Sequence, residues 1–366
     1  MYAYWIVNSK GELLSKQFST KKDIVYLTPS ILDGLGLTGL SNDFAVYSDN
    51  NSQNLSIKNN RVTMISCISD TPHCPKKFLL NLLGDEEIKY LGLRVGIEFE
   101  FFIEKLYSDK RKVTQSGEHA YKTSSYLEKI ELFSEIDNTI KKLDVKKYCI
   151  HSEGASDQYE VSFGPIEPYE AALQYSLIKV SIESLCFQFG YKANFSAKPL
   201  EGHFGNGLHI NFSFSNIDHK HSAELALSIS QMSILLQSVY NPTHLSYARI
   251  LDADLQNNWL EFDSWISAGM RTGIVRFVER DGRFEFRLPD TSSNIFNVLS
   301  SMIVSIKIRK FNQGFLPKKF NRDLLSSNLN DSVEKIETVS GVQKNALYGM
   351  AGLLGDEKYL GLKNID

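Results

Sequence analysis

Four short runs of this 366-residue sequence place residues able to hold metal ions or phosphates on one face and apolar residues on the other, if each run is a strand whose side chains alternate. In Gly96–Phe102, Glu98 and Glu100 oppose Ile97, Phe99 and Phe101. In Tyr159–Phe163, Glu160 and Ser162 oppose Tyr159, Val161 and Phe163. In Leu208–Phe214, His209, Asn211 and Ser213 oppose four apolar residues, and in Arg283–Arg287, Arg283, Glu285 and Arg287 oppose two phenylalanines. One such run alone reads as an ordinary half-exposed strand. Solvent faces, however, usually carry lysine, threonine and mixed charge, whereas these four carry glutamate, histidine, asparagine and arginine, so their shared composition points to one site.

If Glu98, Glu100, Glu160, Glu285 and the nearby Glu153 converge, five carboxylates cannot all stay ionised within a few ångströms of each other without cations. Two or three divalent ions would balance them. Oxygen-rich ligands with an imidazole favour Mg²⁺ or Mn²⁺ over a structural zinc, and Mg²⁺ is the usual partner of a triphosphate. Arg271, Arg276, Arg283 and Arg287 fall within seventeen positions and supply fixed positive charge for phosphate or carboxylate oxygens. The implied chemistry is phosphoryl transfer. No G-x-x-x-x-G-K-[ST] loop is present, which argues against a P-loop nucleotide site.

The elements that must carry these strands divide in two. Residues 1 to about 70 alternate short β-rich runs (YAYWIV, DFAVY, RVTMISCIS) with turn clusters at Asn8–Gly11 and Ser48–Asn51, which reads as a small sheet domain. From Pro75 the pattern becomes α+β: a helical run (KKFLLNLLG), then alternating strands and helices. The longest amphipathic helix is expected over Glu167–Phe189, with Pro168 in its first turn and Gly190 closing it. Ser108–Ser125 and Asn312–Asp331 read as surface connections. The expected division is residues 1–75 and 76–366. A composition of 42% hydrophobic and 23% charged residues is that of a globular protein, and a net charge of −3 favours neither a nucleic-acid backbone nor an anionic membrane. Cys67, Cys74, Cys149 and Cys186 are expected as free thiols; His73–Cys74 lacks the other half of a metal site. With no apolar run near 20 residues and no basic leader, a cytoplasmic protein is expected.

The motifs GIEFEFF, SEGASDQYEVSFGP, NFSAKPLEGHFGNGLHINFSF, SYARI, RTGIVRF and RFEFRLPDTSSN, in this order, resemble the glutamine synthetase family through nearly the whole chain. LDGLGLTGLSNDFAVYSD is similar to that family's DGSS segment and the strand after it, on a small β-grasp domain. The resemblance implies an N-terminal β-grasp domain and a catalytic domain with a curved antiparallel sheet flanked by helices. It implies Glu100, Glu153 and Glu160 as ligands of one Mg²⁺ or Mn²⁺, and Glu98, His209 and Glu285 as ligands of the other. Arg249 would hold the α-carboxylate of glutamate, Arg287 its reacting γ-carboxylate, and Arg271, Arg276 and Arg283 the phosphates of ATP, with Ser213 nearer the nucleotide. Gly205 and Gly207 would shape the loop receiving the amino group. Asp33, with Asp43 beside it, would bind ammonium or an amine from a neighbouring subunit, which implies a homo-oligomeric ring with active sites between subunits.

The departures surround the nitrogen-acceptor side more than the metal side, and one of them, Asn211, falls at a phosphate contact of the family. The family's second histidine is Asn211, the residues after Asp33–Gly34 are Leu35 and Gly36, and the chain between Arg249 and Arg271 is several residues longer than the family pattern. The glutamate closing the ammonium site has no aligned counterpart, Glu261 being nearest. Three functions stay open: a glutamate ligase using ammonia or a primary amine, the same chemistry on another acid, and a non-catalytic relative.

Overall fold

Gly92 decides where the first glutamate strand begins. The helix Glu86–Leu91 starts where the Asp85 side chain accepts from the Glu87 and Ile88 amides, and ends at Gly92, whose φ is 61°. A Cβ there would lie 2.1 Å from Ser215 Oγ, so only glycine makes this turn into the sheet. The computed structural model describes residues 1–8, 10–27, 44–57, 60–70, 74–106, 119–201, 203–251, 262–309 and 319–332.

The N-terminal strands are β1 (Tyr2–Val7), β2 (Leu13–Phe18), β3 (Ile24–Leu27), β4 (Phe44–Ile57) and β5 (Asn60–Ile68), in the order β2-β1-β5-β4-β3. β1 and β5 run parallel and the other pairs are antiparallel. The turn expected at Ser48–Asn51 is instead an irregularity inside β4, where the register with β5 shifts between Ser48 and Ser52 and Asn50 takes a φ of 69°. The bulge leaves the Asp49 carboxylate buried, with Lys76 Nζ 3.4 Å from its Oδ2. Ser66 Oγ and Tyr169 OH donate to the same oxygen, and Lys76 lies 4.0 Å from the centre of the Trp5 ring. Alternate residues of β1 pack in opposite directions: Ala3, Trp5 and Val7 join the main core, while Tyr4 and Ile6 close a second cluster with Val25, Val46 and Ile65.

The second sheet has eight strands. They are β6 (Leu93–Lys105), β7 (Tyr148–Ser152), β8 (Gln158–Ile166), β9 (Tyr191–Asn194), β10 (Leu208–Phe214), β11 (Ser264–Ala268), β12 (Gly273–Val278) and β13 (Arg283–Phe286). Their order is β11-β12-β13-β10-β6-β8-β7, with β9 on β6. Antiparallel pairing holds throughout except for β11 and β12, which are parallel. The apolar faces read from the sequence are buried: Ile97, Phe99, Phe101, Tyr159 and Val161 are fully inaccessible, and Phe99 meets Tyr175 edge-on at 5.0 Å. Each such side chain contributes about 1.5–3 kcal/mol by leaving water.

Tyr175 belongs to the helix Pro168–Gln188, found one residue inside its expected limits at each end. It does not present a single apolar stripe. Residues 171–178 are all buried, because the helix is enclosed by the sheet, by Ile130–Lys142 and by Ile295–Lys307. Within Ser108–Ser125, residues 108–118 lie outside the described part, and the rest enters a short helix at Thr123–Leu127. Cys67, Cys74 and Cys186 are buried, Cys149 is exposed, and all are free thiols. Among the described residues no helix is long and apolar enough to cross a membrane.

Candidate functional site

Strand register lays the polar side chains in rows across the second sheet. One row runs His151 on β7, Glu160 on β8 and Glu100 on β6, each directly opposite the next. The next pairs Glu98 with His209 on β10. A third runs Asn211 on β10, Glu285 on β13 and Arg276 on β12. Convergence of the four runs therefore follows from pairing alone.

Three sets of side chains offer ligand atoms within 4.8 Å of one another: Glu98, His209 and Glu285; Glu100, Glu160 and His209; and His151, Glu153 and Glu160. The first is one of the expected sets complete. The second expected set, Glu100, Glu153 and Glu160, spans the other two and is joined to the first through His209. Carboxylate oxygens with one or two imidazoles suit Mg²⁺ or Mn²⁺.

The electrostatics support that fit. Burial, with Glu153 and Glu160 beside it, pushes the Glu100 carboxyl up to about 7 even though His209 opposes the rise. Burial and Glu160 push Glu153 up to about 7. Burial also raises Glu160. Glu285 goes the other way: burial disfavours its charge, yet Arg287, His209 and Arg276 hold it at about 2. Arg276 Nη1 donates to Glu285 Oε2 at 3.0 Å and Arg287 Nη1 donates to Oε1. A divalent cation would relieve the repulsion that lifts Glu100 and Glu153.

His151 was not anticipated. Its Nε2 lies 3.2 Å from Glu160 Oε1 and its Nδ1 3.5 Å from Glu153 Oε1. Burial disfavours its protonation, but Glu160 and Glu153 raise it to about 9. Alternation along Cys149, His151 and Glu153 would have placed it on the polar face. Gln158, also missed, donates through Nε2 to Gly205 O at 3.0 Å and to Glu100 Oε2 at 3.3 Å.

These shifts set a pH dependence. Glu100 and Glu153, near 4.5 unfolded and about 7 folded, take up protons on folding, so their stabilisation is complete below 4.5 and lost as pH rises through 7. His151 adds a term complete below 6.5 and lost as pH rises through 9. Melting of the metal-free protein should therefore fall steadily from pH 5 to 9, and saturating Mg²⁺ should flatten or reverse that slope. A melting temperature that rises over this range without metal would refute the assignment.

Beside these side chains, Arg249 sits in the helix His244–Leu251 and is 1% exposed. Its Nη1 donates to Leu288 O at 3.0 Å and its Nη2 to Arg287 O at 3.4 Å, while its buried Nε has no hydrogen-bond partner. An orphaned buried donor costs about 1–3 kcal/mol, which an anionic ligand would recover. Gly205 and Gly207 permit the approach: a Cβ on Gly205 would lie 2.7 Å from Arg249 Cγ, and one on Gly207 2.6 Å from His209 Nε2. The Gly207 amide donates to Glu100 Oε2 at 2.7 Å.

Most of the expected residues border two cavities. Glu100, Glu153, Glu160, Gly205, His209, Arg249, Arg271 and Arg287 line one. Glu98, Asn211, Ser213 and Arg283 line the other, of about 440 Å³, with Arg94, Lys147 and Cys149. Arg276, Glu285 and Gly207 line neither, and Arg276 rests on Glu285 and on Gly269 O. Asp33, Asp43 and Glu261 lie outside the described residues.

A family model for the glutamine synthetase catalytic domain matches residues 73–353. Glutamine synthetase of Rhizobium leguminosarum bv. phaseoli is 26% identical over 263 residues, covering 65% of this chain and 60% of that enzyme. Glutamate–methylamine ligase of Methyloversatilis universalis is 22% identical over 299 residues, covering 74% of this chain and 67% of that one. The chain thus spans about three fifths of the Rhizobium enzyme. Two solved structures share the fold: a GmaS/ADP complex, with a TM-score of 0.81 at 20% identity, covering 99% of this chain and 93% of that one, and the Plasmodium falciparum glutamine synthetase, with 0.80 at 17%, covering 99% and 91%.

Proposed function

The chain belongs to the glutamine synthetase family, and we propose that it is an ATP-dependent carbon–nitrogen ligase joining the γ-carboxylate of glutamate, or a close analogue, to ammonia or a primary amine by way of an acyl phosphate. The observation that carries this reading is the pair of metal-ligand clusters sharing His209, set against a buried arginine with an unsatisfied Nε. Divalent cations held by Glu98, His209 and Glu285 and by Glu100, Glu153 and Glu160 would offset charge on the phosphoryl group in transfer. Arg249 holds the α-carboxylate and Arg287 turns its planar fork toward the γ-carboxylate. Arg271, Arg276 and Arg283 steady the phosphates, and Ser213 lies on the nucleotide side. Gly205 and Gly207 leave room for the amino group.

In this reading residues 1–75 form a β-grasp domain that supplies Asp33 and Asp43 to the neighbouring subunit's site. Asp33 would hold the ammonium or amine cation and help deprotonate it. Residues 76–366 form the catalytic domain, and active protein is a ring in the cytoplasm.

A phosphate-release screen with MgATP, L-glutamate and a panel of ammonia, methylamine and larger amines tests the reading, with product mass as second readout. Release is expected only when glutamate and one nitrogen nucleophile are both present. ATP turnover indifferent to glutamate, or no turnover with any pair, would overturn it.

A further inference from the structure

Asn211 is the residue on the polar faces whose side chain joins a metal ligand to an arginine. It stands between Gly96 on β6 and Glu285 on β13 and is 9% exposed. Its Nδ2 donates to Glu98 Oε1 at 2.7 Å, and its Oδ1 accepts from Arg283 Nη1. Gly96 packs beside it: a Cβ there would press on Phe163 O at 3.0 Å and make ordinary contact with Asn211 Cβ at 3.6 Å. With Oε1 engaged, Glu98 keeps Oε2 toward His209 Nδ1, 3.7 Å away. Arg283 is steadied on another edge by Asp281, 3.4 Å from its Nε. Glu98, Asn211 and Arg283 share the cavity of about 440 Å³.

We propose that Asn211 is a positioning residue that keeps Glu98 and Arg283 apart and in register. A carboxylate and a guanidinium this close would otherwise pair directly, as their opposite charges and matching geometry favour. Such a pair would draw Glu98 away from His209 and turn Arg283 away from an incoming phosphate. A neutral amide prevents this because its two ends are a fixed donor and a fixed acceptor: one holds the carboxylate, the other the guanidinium. Metal and phosphate of one nucleotide then meet groups already set at the right spacing. The inference deepens the reading of this cavity as the nucleotide side of the site and rests on it.

Cys149 is the exposed thiol and lines the same cavity, so its modification reports occupancy without turnover. In the full chain, MgATP should slow labelling of Cys149 by a thiol reagent, read by mass. Asn211→Leu should raise the MgATP concentration for half-protection by about 10- to 100-fold, the usual effect of losing a group that orients a metal ligand. Arg283→Met should raise it as well, and the double variant should cost clearly less than the product of the two, because residues acting through one another are not additive. Asn211→His should recover part of the loss, since a neutral imidazole also offers one donor and one acceptor. Melting curves check folding, and Asn211→Ser replaces the leucine variant if that one does not fold. Wild-type half-protection in Asn211→Leu, or strictly multiplicative losses, would overturn the coupling alone. Absence of protection in the wild type would overturn the nucleotide reading and this inference with it.

Discussion

Glu100→Gln should abolish turnover and yet make the metal-free protein harder to melt at pH 8. The two effects come from one carboxylate. Glu100 is pushed up to about 7 by burial and by Glu153 and Glu160, so at pH 8 its ionised form opposes folding. A shift of one unit corresponds to about 1.4 kcal/mol, and relief on the order of 1–3 kcal/mol is expected when the charge is removed. The amide keeps an acceptor for the Gly207 N–H and adds no volume. What it removes, on the proposed reading, is a metal ligand. Loss of several kcal/mol of charge stabilisation in phosphoryl transfer lowers turnover about a thousandfold or more. Glu98→Ala, Glu160→Ala and His209→Ala should be equally inactive. The wild type should gain about 3 kcal/mol from Mg²⁺ and ATP at a hundredfold excess over their dissociation constants, and Glu100→Gln should lose most of this gain. A variant less stable than wild type without metal would mean that the Glu100 charge does not oppose folding, and one stabilised by MgATP as strongly as wild type would mean that Glu100 is not a ligand.

The period of two carried most of what the sequence could say. GIEFEFF, YEVSF, LHINFSF and RFEFR each had a fully apolar face, and burial of Phe99, Phe101, Phe212 and Phe284 leaves no second solution for which way the glutamates point. The same rule applied to Cys149, His151 and Glu153 would have found His151, but only Ile150 lies between the first two, too short an alternation to stand out. Pairing partners were less legible. That Glu285 lies opposite Arg276, or that β11 runs parallel to β12, depends on which strands meet, and no local pattern encodes that. The cluster Ser48–Asn51 looked like a turn because its residues favour turns. In the fold, pairing with β5 on both sides absorbs it as a bulge, and Asp49 is held by Lys76. Arg249 has no periodic signal at all: it is one arginine on an eight-residue helix, legible only through the resemblance of its motif.

Arg249→Ala and Arg287→Lys should separate binding from chemistry. Arg249 is buried with its Nη atoms on Leu288 O and Arg287 O and its Nε unsatisfied, so it is fixed before any substrate arrives. A charge-assisted bond to the α-carboxylate, made equally in ground and transition states, is worth about 1.5–3 kcal/mol. Its loss should therefore raise KM for glutamate about 10- to 150-fold while kcat changes little. Melting is a necessary control, because the alanine also removes the Arg249 donors to Leu288 O and Arg287 O, although Asn241 Nδ2 still donates to Leu288 O. Arg287 differs in place and in use. It donates to Glu285 Oε1 and lines the cavity that holds Glu100, Glu153 and Glu160, where the proposed reaction would place the phosphoryl group in transfer. Lysine in its place keeps the charge and a contact to Glu285, but a single ammonium cannot hold that carboxylate and present a planar fork to the reacting oxygens as well. The expected result is a severe fall in kcat with MgATP protection of Cys149 nearly intact. If Arg249→Ala leaves the KM for glutamate where it was, the acid bound in this cavity is not glutamate. If Arg287→Lys raises KM and spares kcat, the two arginines have exchanged roles.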